Sequence, residues 1–137
     1  VPEPIEALRE MARIIKPGGT LILACECREG VPAHSPMEKL LRSASGPEEI
    51  LALLASPGFR RPEQWQAQIQ ALVQRKARVL VYSSLPNEIV QACHLTPCHD
   101  IQKTVEEELN RFGPEARVAV LPQGPLTIPY LAPQAAI

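Results

Sequence analysis

Ile14-Ile15-Lys16-Pro17-Gly18-Gly19-Thr20-Leu21-Ile22-Leu23-Ala24-Cys25 is the stretch that decides the fold. Its first part closes a helix. Lys16 suits the negative pole of a helix end, and Pro17-Gly18-Gly19 stops the helix and turns the chain. The next run, Thr20–Cys25, is apolar without alternation, the pattern of a strand covered on both faces. Upstream, Ile5, Leu8, Ala12 and Ile15 form a single stripe and predict a helix over 4–15. A helix leading through a tight turn into a buried strand is the basic unit of an α/β fold.

Downstream, 27–35 reads as a loop at the strand's carboxyl end, where open α/β folds place ligands. A short helix is expected at 36–43. Another opens at Gly46-Pro47-Glu48-Glu49 and stops at Ser56-Pro57-Gly58. The longest amphipathic helix is expected over about 62–76. Its apolar side is Trp65, Ile69, Leu72 and Val73, and its other side is rich in Gln. Arg78–Ser83 predicts a second strand. Ser84 is placed to cap a helix carrying Ile89, Val90 and Ala92. Leu95-Thr96-Pro97 reads as a connector or short strand. Asp100 caps a helix over 101–112 with the stripe Ile101, Val105, Leu109 and Phe112. Arg117–Leu121 reads as the third clear strand, and the Pro-rich tail as irregular. Strands alternating with helices imply right-handed crossovers. The expected fold is α/β, a three-layer Rossmann-like sandwich with a mainly parallel sheet.

The chain has 137 residues and a formal net charge of −1. That length suits one domain, 1–137, burying roughly 68% of its unfolded surface. Mixed charge gives no footprint for nucleic acid or an anionic membrane. No apolar run approaches the ~20 residues of a membrane span, and no signal-peptide pattern is present. A soluble α/β chain of this kind favours the reducing cytoplasm and free thiols. Opening on Val1-Pro2, the chain reads as part of a larger protein.

Few residue clusters suggest chemistry. Cys25, Cys27 and His34 form one group, and Cys93-His94 with Cys98-His99 a second. Neither has the spacing of a zinc site. Buried small cysteines and surface histidines are the favoured reading, so no metal ligand and no catalytic residue is assigned. In a strand, Cys25 and Cys27 would share a face without easily bridging. Cys27 as nucleophile would need a base, and His34 lies seven residues on in the same loop. Gly18-Gly19 precedes a strand, whereas a phosphate cradle comes after one. Glu3, Glu6, Glu10 and Glu106-Glu107-Glu108 read as solvated helix faces. On spacing alone, Trp65 is a core anchor near the sheet edge.

Two resemblances add to this. Residues 6–23 look like the helix–turn–strand late in class I methyltransferases, although the residues after Cys25 depart from that pattern. The second covers nearly the whole chain. Lys16-Pro17-Gly18-Gly19, then Glu26-Cys27-Arg28-Glu29-Gly30, Trp65-Gln66-Ala67-Gln68, Val81-Tyr82-Ser83-Ser84-Leu85 and Leu121-Pro122-Gln123-Gly124-Pro125-Leu126-Thr127-Ile128-Pro129 occur in order. Together they resemble the C-terminal domain of the nickel-dependent lactate racemase family.

That resemblance implies a C-terminal domain that closes a substrate cleft against an N-terminal domain of the same chain. The N-terminal domain would carry the nickel-pincer nucleotide, its lysine and the two catalytic histidines. The substrate implied is a small 2-hydroxy acid, with no cofactor held by residues 1–137 and no activity in isolation. Trp65 matches the tryptophan of the family's W-x-x-Q stretch and is thereby the substrate-binding candidate. Pro2, Glu3 and Glu6 fall where the family has a Tyr-Gln pair and a lysine, a departure at the substrate carboxylate. The alternatives are a C-terminal half of a class I methyltransferase that uses S-adenosylmethionine, and a non-catalytic interaction domain packing through the Gln-rich face of helix 62–76.

Overall fold

Three parallel strands in the order β1-β2-β3 carry the molecule: β1 (Thr20–Ala24), β2 (Arg78–Tyr82) and β3 (Thr96–Cys98). The computed structural model describes residues 2–28, 30–31 and 34–133. The register pairs Thr20 with Arg78 and Ala24 with Tyr82, then Leu80 with Thr96 and Tyr82 with Cys98. The described residues also form six α-helices: α1 (Pro2–Met11), α2 (Pro36–Arg42), α3 (Pro47–Ala55), α4 (Gln64–Lys76), α5 (Asn87–Ala92) and α6 (Ile101–Phe112). The expected α/β class and parallel sheet are therefore present.

The two sheet faces are covered unequally. On one, Leu21 and Leu23 of β1 and Val79 and Val81 of β2 pack against Ile5 and Leu8 of α1, Val73 of α4 and Val90 of α5. The other is covered by α6, in which no side chain is fully buried. A polar knot ties that helix to the sheet. Glu108 accepts from Thr20 Oγ1 at 2.6 Å and pairs with Arg78 at 2.9 Å and Arg111 at 2.6 Å. Glu108 is thus a half-buried anchor, where the charge pattern suggests a solvated face. Glu10 departs from that reading too: it is buried and held by Arg13 at 2.7 Å and Arg9 at 3.1 Å. A second apolar cluster joins Leu40 and Leu41 of α2, Ile50 of α3 and Ala67 and Ala71 of α4.

Local signals account for most boundaries. Ser35 caps α2 by accepting from the Glu38 amide, with Pro36 at the first helical position. Asp100 caps α6 as expected, its Oδ1 accepting from the Lys103 amide at 2.9 Å. α1 ends at Met11, earlier than the stripe implies, and Ala12 and Ile15 still reach the core from the turn. Gly19 is needed at that turn, because a Cβ there would lie 2.6 Å from Ile15 and 3.0 Å from the Lys16 carbonyl.

Three expectations fail. First, α4 keeps Val73 and Ile69 on the core as the stripe implies but also turns Gln66 and Gln70 inward. Gln66, Ala67, Gln70, Ala71 and Val73 are buried, while Trp65 is 44% exposed and Leu72 48% exposed. The physical reason is hydrogen bonding. Gln70 Nε2 donates to the Cys93 carbonyl at 2.6 Å, and Gln74 Nε2 donates to the His94 carbonyl. A buried amide that meets a free carbonyl avoids the penalty that normally keeps Gln outside. Second, residues 117–121 form no strand; Val118 and Val120 are 60% and 80% exposed. The third strand is β3, delivered beside β2 by the short α5 crossover. Third, Ser84 does not cap α5, whose N-cap is Pro86 without a side-chain bond. The tail is irregular apart from one 3₁₀ turn, Gly124–Leu126. A Cβ on Gly124 would sit 3.3 Å from that of Ala7, so glycine lets the tail lie close on α1.

Candidate functional site

Chain direction decides which side chains share one end of the sheet. α4 enters β2 through Ala77 alone. Its last residue, Lys76, accepts from the Gly18 amide at 2.8 Å and donates from Nζ to the Ala12 carbonyl at 2.7 Å. The C-terminal end of α4 therefore sits at the amino end of β1. The N-terminal end of α4, with Trp65, points toward the carboxyl ends of the strands, the usual ligand end of an open parallel sheet.

At that end a cleft of about 370 Å³ is lined by Ala24, Cys25, Glu26, Tyr82, Ser83 and Ser84. The cleft exists because β1 and β2 stop pairing here. The Cys25 amide still donates to the Tyr82 carbonyl at 3.0 Å, and then the chains part. Ser84 stitches the two loops. Its Oγ donates to the Glu26 carbonyl at 2.6 Å, the role it plays in place of a helix cap. Glu26 pairs with Arg28 in solvent. Tyr82, Ser83 and Ser84 thus bring three hydroxyls to the strand ends. Composition did not single them out; the signal was their place after a parallel strand.

Cys25 lines this cleft and Cys27 meets it there from the following turn, although in a strand the two would share a face without easily bridging. The strand ends at Ala24, and Cys27 takes a left-handed φ of +51°. This folds the second thiol back to 3.0 Å from the first. The Gly30 amide donates to the Cys27 carbonyl at 2.8 Å and closes the turn. Burial, reinforced by the hydrogen bond and charge of Cys27, pushes the Cys25 thiol up to about 12. Among the described residues no hydrogen bond joins His34 to Cys27. His34 is exposed and its amide donates to Glu38 Oε2.

The remaining candidates are scattered. Cys93 and Cys98 are buried, and burial raises the Cys93 thiol. Cys98 contacts Thr104 Oγ1 at 3.2 Å, so it does not share the exposure of its neighbour His99. His94 is half-buried, its Nε2 against the Leu41 carbonyl, so it braces α2 and does not lie free on the surface. Among the described residues no three His, Cys, Asp or Glu side chains converge on one point. That donor set does not fit a nickel centre. A second groove, of about 590 Å³, runs between α2 and 59–62, with Lys39 and Arg61 on its rim. Arg61 there stacks 4.9 Å from the Phe59 ring centroid.

Of the three positions that depart from the family pattern, the Pro2 and Glu3 side chains lie outside what the structure describes. Glu6 is half-buried. No helix among the described residues is long and apolar enough to cross a membrane.

Fold and cleft define an α/β domain with its ligand end at the carboxyl edge of a three-stranded parallel sheet. The sequence profile of the lactate racemase C-terminal domain matches residues 5–128. The chain belongs to that family. No curated protein matches it. Among solved structures it is similar to the lactate racemase apoprotein from Thermoanaerobacterium thermosaccharolyticum, with a TM-score of 0.76 at 21% identity. That match covers 93% of this chain and 30% of the other. At that identity the likeness carries the fold alone.

Proposed function

We propose that residues 1–137 form the cleft-closing C-terminal domain of a racemase or epimerase acting on a small 2-hydroxy acid, with Trp65 as a wall of the substrate pocket. The observation that carries this reading is the indole itself. Trp65 is 44% exposed on the helix end that points to the strands' carboxyl edge. An exposed tryptophan at the ligand end of a sheet is an apolar surface waiting for a cover. The cover in this reading is an N-terminal domain of the same chain, which also brings the nickel-pincer nucleotide and the histidines. When bound, that cofactor would supply the acceptor for the substrate's α-hydrogen. The part played by this chain is to exclude water and orient the acid. A reactive hydride or carbanion equivalent needs a dry site, and an indole against the substrate methyl helps provide it. The location is cytoplasmic.

The other readings lose their support. An interaction module using the Gln-rich face of α4 needs that face free, yet Gln66 and Gln70 are buried. A methyltransferase half would bring an antiparallel strand, and the sheet described here is parallel throughout.

The test uses the full-length parent protein loaded with its nickel cofactor, with lactate as probe. Trp65→Ala should lower kcat/KM at least tenfold, and Trp65→Phe should restore most of it. The 137-residue chain alone should neither retain nickel nor turn over lactate. Wild-type kcat/KM in Trp65→Ala would remove Trp65 from the pocket. Turnover by the isolated chain would overturn the division of labour between the domains.

A further inference from the structure

Cys25 in the cleft and Cys27 against it are two thiols that the proposed racemase chemistry does not use. We infer that Cys25 and Cys27 form a reversible dithiol–disulfide site at the ligand end of the sheet, oxidised by hydrogen peroxide. The sulfurs lie 3.0 Å apart, about 1 Å longer than a disulfide bond. Little backbone movement is then needed to close it.

The approach is built into the fold. β1 holds Cys25 through its amide bond to Tyr82. Ser84 grips the Glu26 carbonyl between the two cysteines. The left-handed φ of Cys27 then directs its side chain back. Left-handed backbone is costly for a residue other than glycine, Asn or Asp, so the surrounding contacts must hold it. Both thiols are half-buried, Cys25 on a cleft that opens to solvent, whereas Cys93 and Cys98 are buried elsewhere. Cys25 is held on β1 by its amide bond to Tyr82 and its thiol is pushed up by burial, so Cys27, on the turn beyond the strand, is the sulfur assigned to meet the oxidant.

The chemistry balances in two steps. The Cys27 thiolate attacks one peroxide oxygen, the O–O bond breaks, and Cys27 becomes a sulfenic acid with loss of hydroxide. The Cys25 sulfur then attacks the Cys27 sulfur, the S–O bond breaks, and water leaves. The Cys25 thiol proton leaves in that water, and the proton that Cys27 gave up on forming its thiolate neutralises the hydroxide of the first step. Two thiols and one peroxide give one disulfide and two waters. Dithiothreitol reverses the bond.

The site is tested on the 137-residue chain by peroxide treatment, denaturing alkylation with iodoacetamide and intact mass measurement. The reduced chain, with four free cysteines, should take four alkyl groups. The peroxide-treated chain should take two, with the missing pair mapped to Cys25 and Cys27 and restored by dithiothreitol. In Cys25→Ser, Cys27 should accumulate as a sulfenic acid that dimedone captures. Four alkyl groups retained after peroxide would overturn the inference. So would a disulfide mapped to Cys93 or Cys98, or one formed between two chains.

Discussion

Exchanging the polarity of two positions on α4 tests the facing of that helix directly. Gln70 is 2% exposed and donates to the Cys93 carbonyl at 2.6 Å; Leu72 is 48% exposed. Gln70→Leu keeps the side-chain volume but removes the donor. The Cys93 carbonyl, inside the packed turn between α5 and β3, is left without that partner. A buried group so orphaned costs about 1–3 kcal/mol. For a chain of this length each 1 kcal/mol lowers Tm by roughly 3–5 °C, so the variant should melt about 3–15 °C lower. Leu72→Gln, at an exposed position, should change stability by no more than about 0.5 kcal/mol. Conventional patterning makes the opposite prediction, since it improves the core at 70 and spoils the stripe at 72. The assay is urea unfolding followed by the fluorescence of Trp65, the sole tryptophan. If Leu72→Gln unfolds at lower urea than Gln70→Leu, the Gln side of α4 does not face inward and the reasoning is refuted.

Glu108 should govern the acid limb of stability. Burial raises its carboxyl, but hydrogen bonds from Thr20 and Arg111 and the charges of Arg111 and Arg78 outweigh this and hold it below the usual 4.5. A folded value below the unfolded one stabilises above pH 4.5 and is lost as pH falls through the folded value. Glu108→Gln should therefore flatten the decline of stability below pH 4.5 in a pH series of urea melts. Gly19→Ala should cost more than Gly18→Ala in a thermal melt. The first meets Ile15 and Lys16 atoms, whereas the second has open space and only a φ of +79° to contend with, worth about 1 kcal/mol. Ser84→Ala removes the bond to the Glu26 carbonyl. It should quicken amide exchange at Gly30 by up to about tenfold, with global stability changed by less than about 1.5 kcal/mol.

Elements marked by local punctuation were legible in the sequence. Pro17-Gly18-Gly19 leads into β1 and Asp100 opens α6 as expected, although α1 itself stops earlier, at Met11. What depended on distant partners was not. Gln70 and Gln74 are satisfied by carbonyls 23 and 20 residues downstream, and periodicity cannot anticipate such a partner. Residues 117–121 have the same apolar character as β2, yet they pair with no strand and lie exposed. Thr96–Cys98 takes the edge next to β2 despite Pro97, which is tolerated at an edge. The cleft was legible only in outline, as a loop after β1. The meeting of Cys25 and Cys27 hinges on one left-handed residue. The exposure of Trp65 runs against its apolar spacing.

The attachment of α6 has a consequence for how the molecule opens. Its hold on the sheet rests on Glu108, Thr20, Arg78 and Arg111, with no fully buried side chain of its own. Ion pairs near a surface weaken with salt, whereas apolar packing does not. The face packed by α1, α4 and α5 and the face tied by α6 therefore answer to different solvents. Raising ionic strength should loosen the last helix while the opposite face stays closed, with the Gly124–Leu126 turn still on α1. In this fold α6 is the element expected to open first, and salt sets how often.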